Sequence, residues 1–192
     1  MKTTYKLILS ALFLAIGIIL PFFTGQITQI GNMLLPMHIP VFLCGFICGW
    51  QYGGLVGFIT PLLRSFLFGA PMLYPNALSM CIELMAYGAI SGLIYSLFKR
   101  KNVASIYLSM LPAMIVGRIM WGLMQVILLG FKDMSFSWTL FIGGAFLNAI
   151  PGIIIQLTLI PLIISAINYG ESHKLRRIEH IERTNSDCRK NY

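Results

Sequence analysis

Charge is scarce in this chain. Only 10% of its 192 residues are Asp, Glu, Lys or Arg, against about 25% in an ordinary soluble domain. Acidic residues are the scarcest, six in all. What remains is 57% apolar with a mean hydropathy of +0.81, more apolar surface than a soluble globule of this length can hide. The chain therefore reads as an integral membrane protein. That composition also excludes a disordered chain, and the sequence has no low-complexity tract or internal repeat. The net charge of +8 comes from clusters beside apolar runs, and no nucleic-acid partner is expected. The four cysteines, at 44, 48, 81 and 188, form no disulfide framework. Cys44 and Cys48 have helical spacing and would make half a metal site, but no second pair completes it. They read as small packing residues, and no metal or other cofactor is expected.

What the sequence does have is six apolar stretches, at roughly 5–23, 36–50, 52–69, 76–98, 104–130 and 139–168. At about 20 residues per span they occupy most of the chain and leave no room for a soluble enzyme domain. The second and third are divided at Trp50-Gln51-Tyr52-Gly53, because one helix over residues 36–69 would be about 50 Å long. Eleven of the fourteen basic residues then fall on one side: Lys2, Lys6, Lys99, Arg100, Lys101, Lys174, Arg176, Arg177, Arg183, Arg189 and Lys190. The opposite loops hold only Lys132. The positive-inside rule places that basic side in the cytoplasm. The predicted fold is an all-α bundle of six transmembrane helices with both termini cytoplasmic: a membrane domain over 1–168 and a basic tail over 169–192. The tail reads as solvated near anionic lipid, although Leu175, Ile178 and Ile181 also permit an interfacial helix. The N-terminal run ends at Pro21-Phe22-Phe23 without an Ala-x-Ala-like cleavage site, and is expected to be a retained span.

Three ionisable residues lie inside spans, where charge is costly and marks sites: Arg64, Glu83 and Arg118. His38, Gln125, Asn148 and Gln156 add polar company. Counting the helical rise from the outer ends puts Arg64 about 8 Å, Glu83 about 10 Å, Asn148 about 14 Å and Arg118 about 18 Å deep. All but Gln156 lie at or above the midplane, which points to an outer-leaflet pocket closed toward the cytoplasm. A channel or proton relay would need polar groups at every depth. One Arg can pair with Glu83; the other leaves one positive charge, which a bound monocarboxylate would balance through two parallel hydrogen bonds. Which Arg plays which part is open at this level. Arg118, Trp121 and Gln125 share one helical stripe, suited to a small amphiphile. Asn148 shares another with Ala145 and Gly152 and also reads as an interhelical hydrogen bonder.

Small residues recur as Gly45, Gly49, Gly53 and Gly57, spaced for close helix packing, and as Ala11 and Ala15 in the first span. Taken with Leu35-Pro36-Met37-His38-Ile39-Pro40, Cys44-Gly45-Phe46-Ile47-Cys48-Gly49 and Gly53-Gly54-Leu55-Val56-Gly57, these features resemble the substrate-binding S components of energy-coupling factor (ECF) vitamin transporters. The resemblance implies a bacterial plasma-membrane subunit that captures a micronutrient from outside. Its partners would be a membrane coupling subunit, which Ala11 and Ala15 would face, and two ATPase subunits. The absence of a phosphate-binding Gly-rich loop fits ATP hydrolysis elsewhere. The pantothenate-type group is the one it looks most like. Folate, queuosine-precursor, pyridoxine and hydroxymethylpyrimidine carriers share the architecture. A membrane scaffold would leave the three buried charges without a ligand. An intramembrane protease would need a His-Glu-x-x-His or Ser–base pair at depth, which the sequence does not supply.

Overall fold

A computed structural model describes residues 3–24, 36–99, 101–130 and 150–190. These form α1 (Thr3–Thr24), α2 (His38–Cys48), α3 (Trp50–Phe68), a wide π-type turn (Leu73–Ala77), α4 (Leu78–Leu97), α5 (Val103–Gly130) and α6 (Ile150–Lys190). Among the described residues four segments are long and apolar enough to cross a bilayer: Thr3–Phe23, Leu73–Leu97, Val103–Gly130 and Ile150–Gly170. The 11 residues of α2 extend only about 16 Å, against a hydrocarbon core of about 30 Å. In α3, Gln51, Arg64 and three glycines dilute the hydropathy.

The division between α2 and α3 falls at Gly49, not at the Trp50–Gly53 turn expected from the sequence. Gly49 has φ 105° and ψ 167°, a backbone state that glycine adopts without steric cost. The four residues of the expected turn instead begin α3. The chain reverses there, so that a Cβ on Gly53 would lie 2.6 Å from Gly45 Cα. Helix α4 packs against both arms of this hairpin. A Cβ on Gly45 would sit 2.5 Å from the Gly88 carbonyl oxygen, one on Gly92 would sit 2.6 Å from the Gly45 carbonyl oxygen, and one on Gly57 would meet the Leu84 carbonyl. The glycine stripe of α2 and α3 is thus half of a backbone-to-backbone seam whose other half is Gly88 and Gly92.

Side-chain pairs fix the helix directions. Cys44 Sγ is 3.6 Å from Ser10 Oγ and the Phe22 and Phe68 rings meet edge to face at 4.6 Å, so α1 runs against α2 and along α3. Phe42 stacks on Tyr87 and Phe46 abuts Tyr95, so α2 and α4 run together. Helix α5 runs against α4: Arg118 meets Glu83, and Tyr74 OH donates to the Leu128 carbonyl. Helix α6 returns alongside, with Tyr107 OH donating to the Leu157 carbonyl and Asn168 Nδ2 to Tyr95 OH. The start of α1, the Gly49 break, the α4–α5 connection and the chain beyond Asn168 therefore share one end of the bundle. Lys6 reaches Gly49 there, and Lys101 Nζ lies over the Tyr95 ring. Phe46, Tyr95, Ile106, Met110, Ile160 and Ile164 are buried and fill that half. The buried ions lie toward the other end.

Helix α6 continues for 41 residues, to Lys190, through the basic tail that begins at residue 169, for which a solvated segment and a short interfacial helix were both open. No Gly or Pro follows Gly170, and Glu, Lys, Arg, Leu and Ile dominate the stretch. All have favourable or moderate helix propensity.

Candidate functional site

Glu83 is the centre of the site. It faces inward two turns into α4, is 1% exposed, and would be untenable as an isolated charge. Arg118 Nη1 lies 3.0 Å from Glu83 Oε1, and Tyr87 OH donates to the same oxygen at 2.9 Å. Tyr87 is one turn beyond Glu83, so both point along one face of α4. Its ring stacks on Phe42 at 5.1 Å and presses against Gly117, where a Cβ would collide with Tyr87 Cε1 and Cδ1. Gly117 precedes Arg118. One bare backbone position on α5 thereby admits the ring that orients Glu83, and the next residue supplies its counter-ion.

His38 completes the cluster from the first turn of α2. It is fully buried, with its ring 5.2 Å from that of Tyr87 and Nε2 3.7 Å from Glu83 Oε1. That distance is too long for a hydrogen bond, and neither ring nitrogen has another partner among the described residues. Arg64, near the end of α3, is separate from Glu83. Its Nε donates to the Ala70 carbonyl at 2.9 Å and its guanidinium lies over the Phe22 ring at 5.6 Å. Its Nη1 is buried without a partner, and no carboxylate pairs with it among the described residues.

Between these groups is a cavity of about 410 Å³, a size typical of small-molecule sites. Its charged and polar lining is His38, Arg64, Asn76, Glu83, Arg118 and Trp121; prolines 21, 36 and 71 and methionines 37, 72 and 80 supply the apolar part. Five of the seven predicted substrate-binding residues thus line one cavity. Gln125 does not; it is buried behind it and donates to Asn76 Oδ1 at 3.4 Å. Asn148 lies outside the described residues. Ala11 and Ala15 are exposed on α1, on the opposite side from the buried Ser10, Phe13, Gly17 and Pro21. Among the described residues no three His, Cys, Asp or Glu gather as a metal site.

The sequence reading missed Tyr87, Gly117 and Asn76. Tyr87 carried a signal, since a phenol one turn beyond the lone buried carboxylate can reach it. Gly117 and Asn76 act through contacts between helices, which one-dimensional spacing does not reveal.

Residues 5–164 match the family model for the ECF transporter, substrate-specific component. The chain belongs to that family. No curated protein and no solved structure matches it. As an ECF substrate-specific component it is a membrane substrate-binding subunit of an ECF importer, a transport subunit and not an enzyme. Family membership implies a substrate and the coupling and ATPase subunits of an ECF module as partners.

Proposed function

We propose that this ECF substrate-specific component captures a small monoanionic carboxylate micronutrient, with pantothenate favoured, in the cavity bounded by Arg64 and Arg118. The observation that carries the reading is the division of labour between the two arginines. Arg118 is 3.0 Å from Glu83, so that pair is internally neutral. Arg64 has a buried Nη1 without a partner and no carboxylate beside it among the described residues. The unbalanced positive charge is therefore assigned to Arg64, and a ligand carboxylate would balance it. Depth counted along the sequence left the two arginines open; the Glu83 pair favours Arg64 as the ligand's partner. Trp121, His38 and Asn76 would meet the uncharged part of the ligand, and Gln125 would hold Asn76 in place.

The six-span topology, with the basic end of the bundle in the cytoplasm and the cavity open outward, fits the positive-inside rule. Lys6, Lys99 and Lys101 then lie on the inner side. Ala11 and Ala15, exposed on α1, would be the docking surface for the membrane coupling subunit, since small residues permit close helix approach.

The test is thermal unfolding of the detergent-purified protein with a vitamin panel. A ligand that binds only the folded state raises the melting temperature with the logarithm of its concentration over Kd. Pantothenate should stabilise the protein, and its neutral carboxamide analogue should do so far less. Stabilisation by a neutral vitamin alone would replace this reading.

A further inference from the structure

Glu83 occupies the place that a second ligand carboxylate would otherwise take. Its Oε1 receives Arg118 Nη1 and the Tyr87 hydroxyl at ordinary hydrogen-bond lengths, and Glu83 and Arg118 both line the cavity. Arg64 stands on the same cavity without a carboxylate partner among the described residues. Two guanidinium groups therefore face one space, and the protein itself supplies the anion for one of them. We infer that Glu83 is a specificity-determining residue that sets how many negative charges the ligand carries. With Glu83 present the cavity accepts one carboxylate; without it, two. This inference rests on the anion reading above and goes further, because it assigns rejection of dianions to one internal side chain.

The physical reason is repulsion as much as lost attraction. A dianion that places one carboxylate at Arg64 brings the other toward Glu83. Two carboxylates in a water-poor site repel strongly, and negative selection of this kind is how sites reject close analogues. Tyr87, wedged between Phe42 and Gly117, keeps Glu83 from turning away. Substitution by Gln keeps the shape and removes the charge. Arg118 then has no anion of its own, and a ligand's second carboxylate can take that place.

The experiment measures Kd of the full-length protein for pantothenate and for the analogue whose terminal primary alcohol is oxidised to a carboxylate. Wild type should prefer the monoanion at least tenfold. Glu83→Gln should shift the ratio of the two Kd values toward the dianion at least tenfold. The double variant Glu83→Gln with Arg118→Gln, which restores one net positive charge, should return the ratio to within about threefold of wild type. A merely structural role for Glu83 would weaken both ligands alike and would not be repaired by a second substitution. A ligand-free arm covers loss of folding or binding: formate should raise the melting temperature of Glu83→Ala clearly more than that of wild type or of Glu83→Ala with Arg118→Gln, in which Arg64 is the one cavity cation left for it among the described residues. If pantothenate binds wild type and Arg64→Gln abolishes it, yet Glu83→Gln leaves the ratio unchanged, this inference is overturned and the proposed function stands. If no carboxylate stabilises wild type, the proposed function fails. In that event formate rescue of Glu83→Ala still supports the internal counter-ion, and its absence overturns it.

Discussion

Arg118 and Arg64 carry the same charge, but they should fail in opposite ways when neutralised. Arg118→Gln leaves Glu83, 1% exposed, with the Tyr87 hydroxyl, at 2.9 Å, as its remaining hydrogen-bond donor among the described residues. Breaking a buried pair from one side costs about 3–5 kcal/mol, because the surviving charge stays desolvated. For a chain of this size each kcal/mol moves the melting temperature by about 2–4 °C. The ligand-free protein should therefore melt about 6–20 °C lower. Arg64→Gln removes one hydrogen bond, to the Ala70 carbonyl, a net loss of about 0.5–1.5 kcal/mol. That loss is offset in part because the cation has no carboxylate beside it among the described residues. Its melting temperature should stay within a few degrees of wild type. Affinity should reverse the order: an unpaired ligand carboxylate at position 64 costs about 2–5 kcal/mol, or about 30-fold to several thousand-fold in Kd. Arg64→Lys should rescue poorly, since an ammonium cannot make the planar two-pronged contact. Differential scanning fluorimetry of both apo variants and calorimetric titration with pantothenate give all four numbers. Equal melting temperatures, or a stable Arg118→Gln that alone loses the ligand, would refute the assignment.

Three further outcomes follow from the packing and the topology. Ala11→Trp and Ala15→Trp should abolish uptake in cells while the isolated subunit binds ligand nearly as wild type; normal uptake by either would remove α1 as the docking surface. Gly53→Ala should destabilise by about 1–3 kcal/mol as an overpacked position, because its new methyl would stand 2.6 Å from Gly45 Cα and 2.7 Å from the Gly88 carbonyl oxygen, neither of which can rotate away. A thermal scan showing no loss would count against the seam. A Cys at Lys101, in a background with Cys188 replaced, should resist an impermeant thiol reagent in intact cells, and labelling there would sink the proposed six-span orientation.

The legible parts of this protein were those encoded by single residues out of place in apolar sequence. A membrane chain has few reasons to carry Arg64, Glu83, Arg118 or His38, so each was visible alone, and all four line one cavity. The partner of each was not visible. Depth along a helix says nothing about which way a long guanidinium reaches, and Arg118 pairs with Glu83 despite the difference in their counted depths. The α2–α3 break was misplaced by one to four residues because Trp50, Gln51, Tyr52 and Gly53 carry polar and turn character, whereas what decides the site is a positive φ that Gly49 adopts. The helical extension of α6 was one of two open readings of the tail, since solvated helices and solvated coils draw on the same residues.

Among the described residues the cavity of the site lies toward one end of the bundle, and this governs what the subunit can do by itself. Toward the basic end, among the described residues, Phe46, Tyr95, Ile106, Met110, Ile160 and Ile164 are buried between the helices. A ligand that has entered leaves most easily by the door it came through. Vesicles holding this subunit alone should retain about one ligand per correctly oriented copy, and washing should release it to the side it came from. If the cavity opens outward as proposed, sustained flux would need the loaded site to be presented to the other compartment. The work of an ATPase-bearing assembly would then go into reorienting a container with one opening.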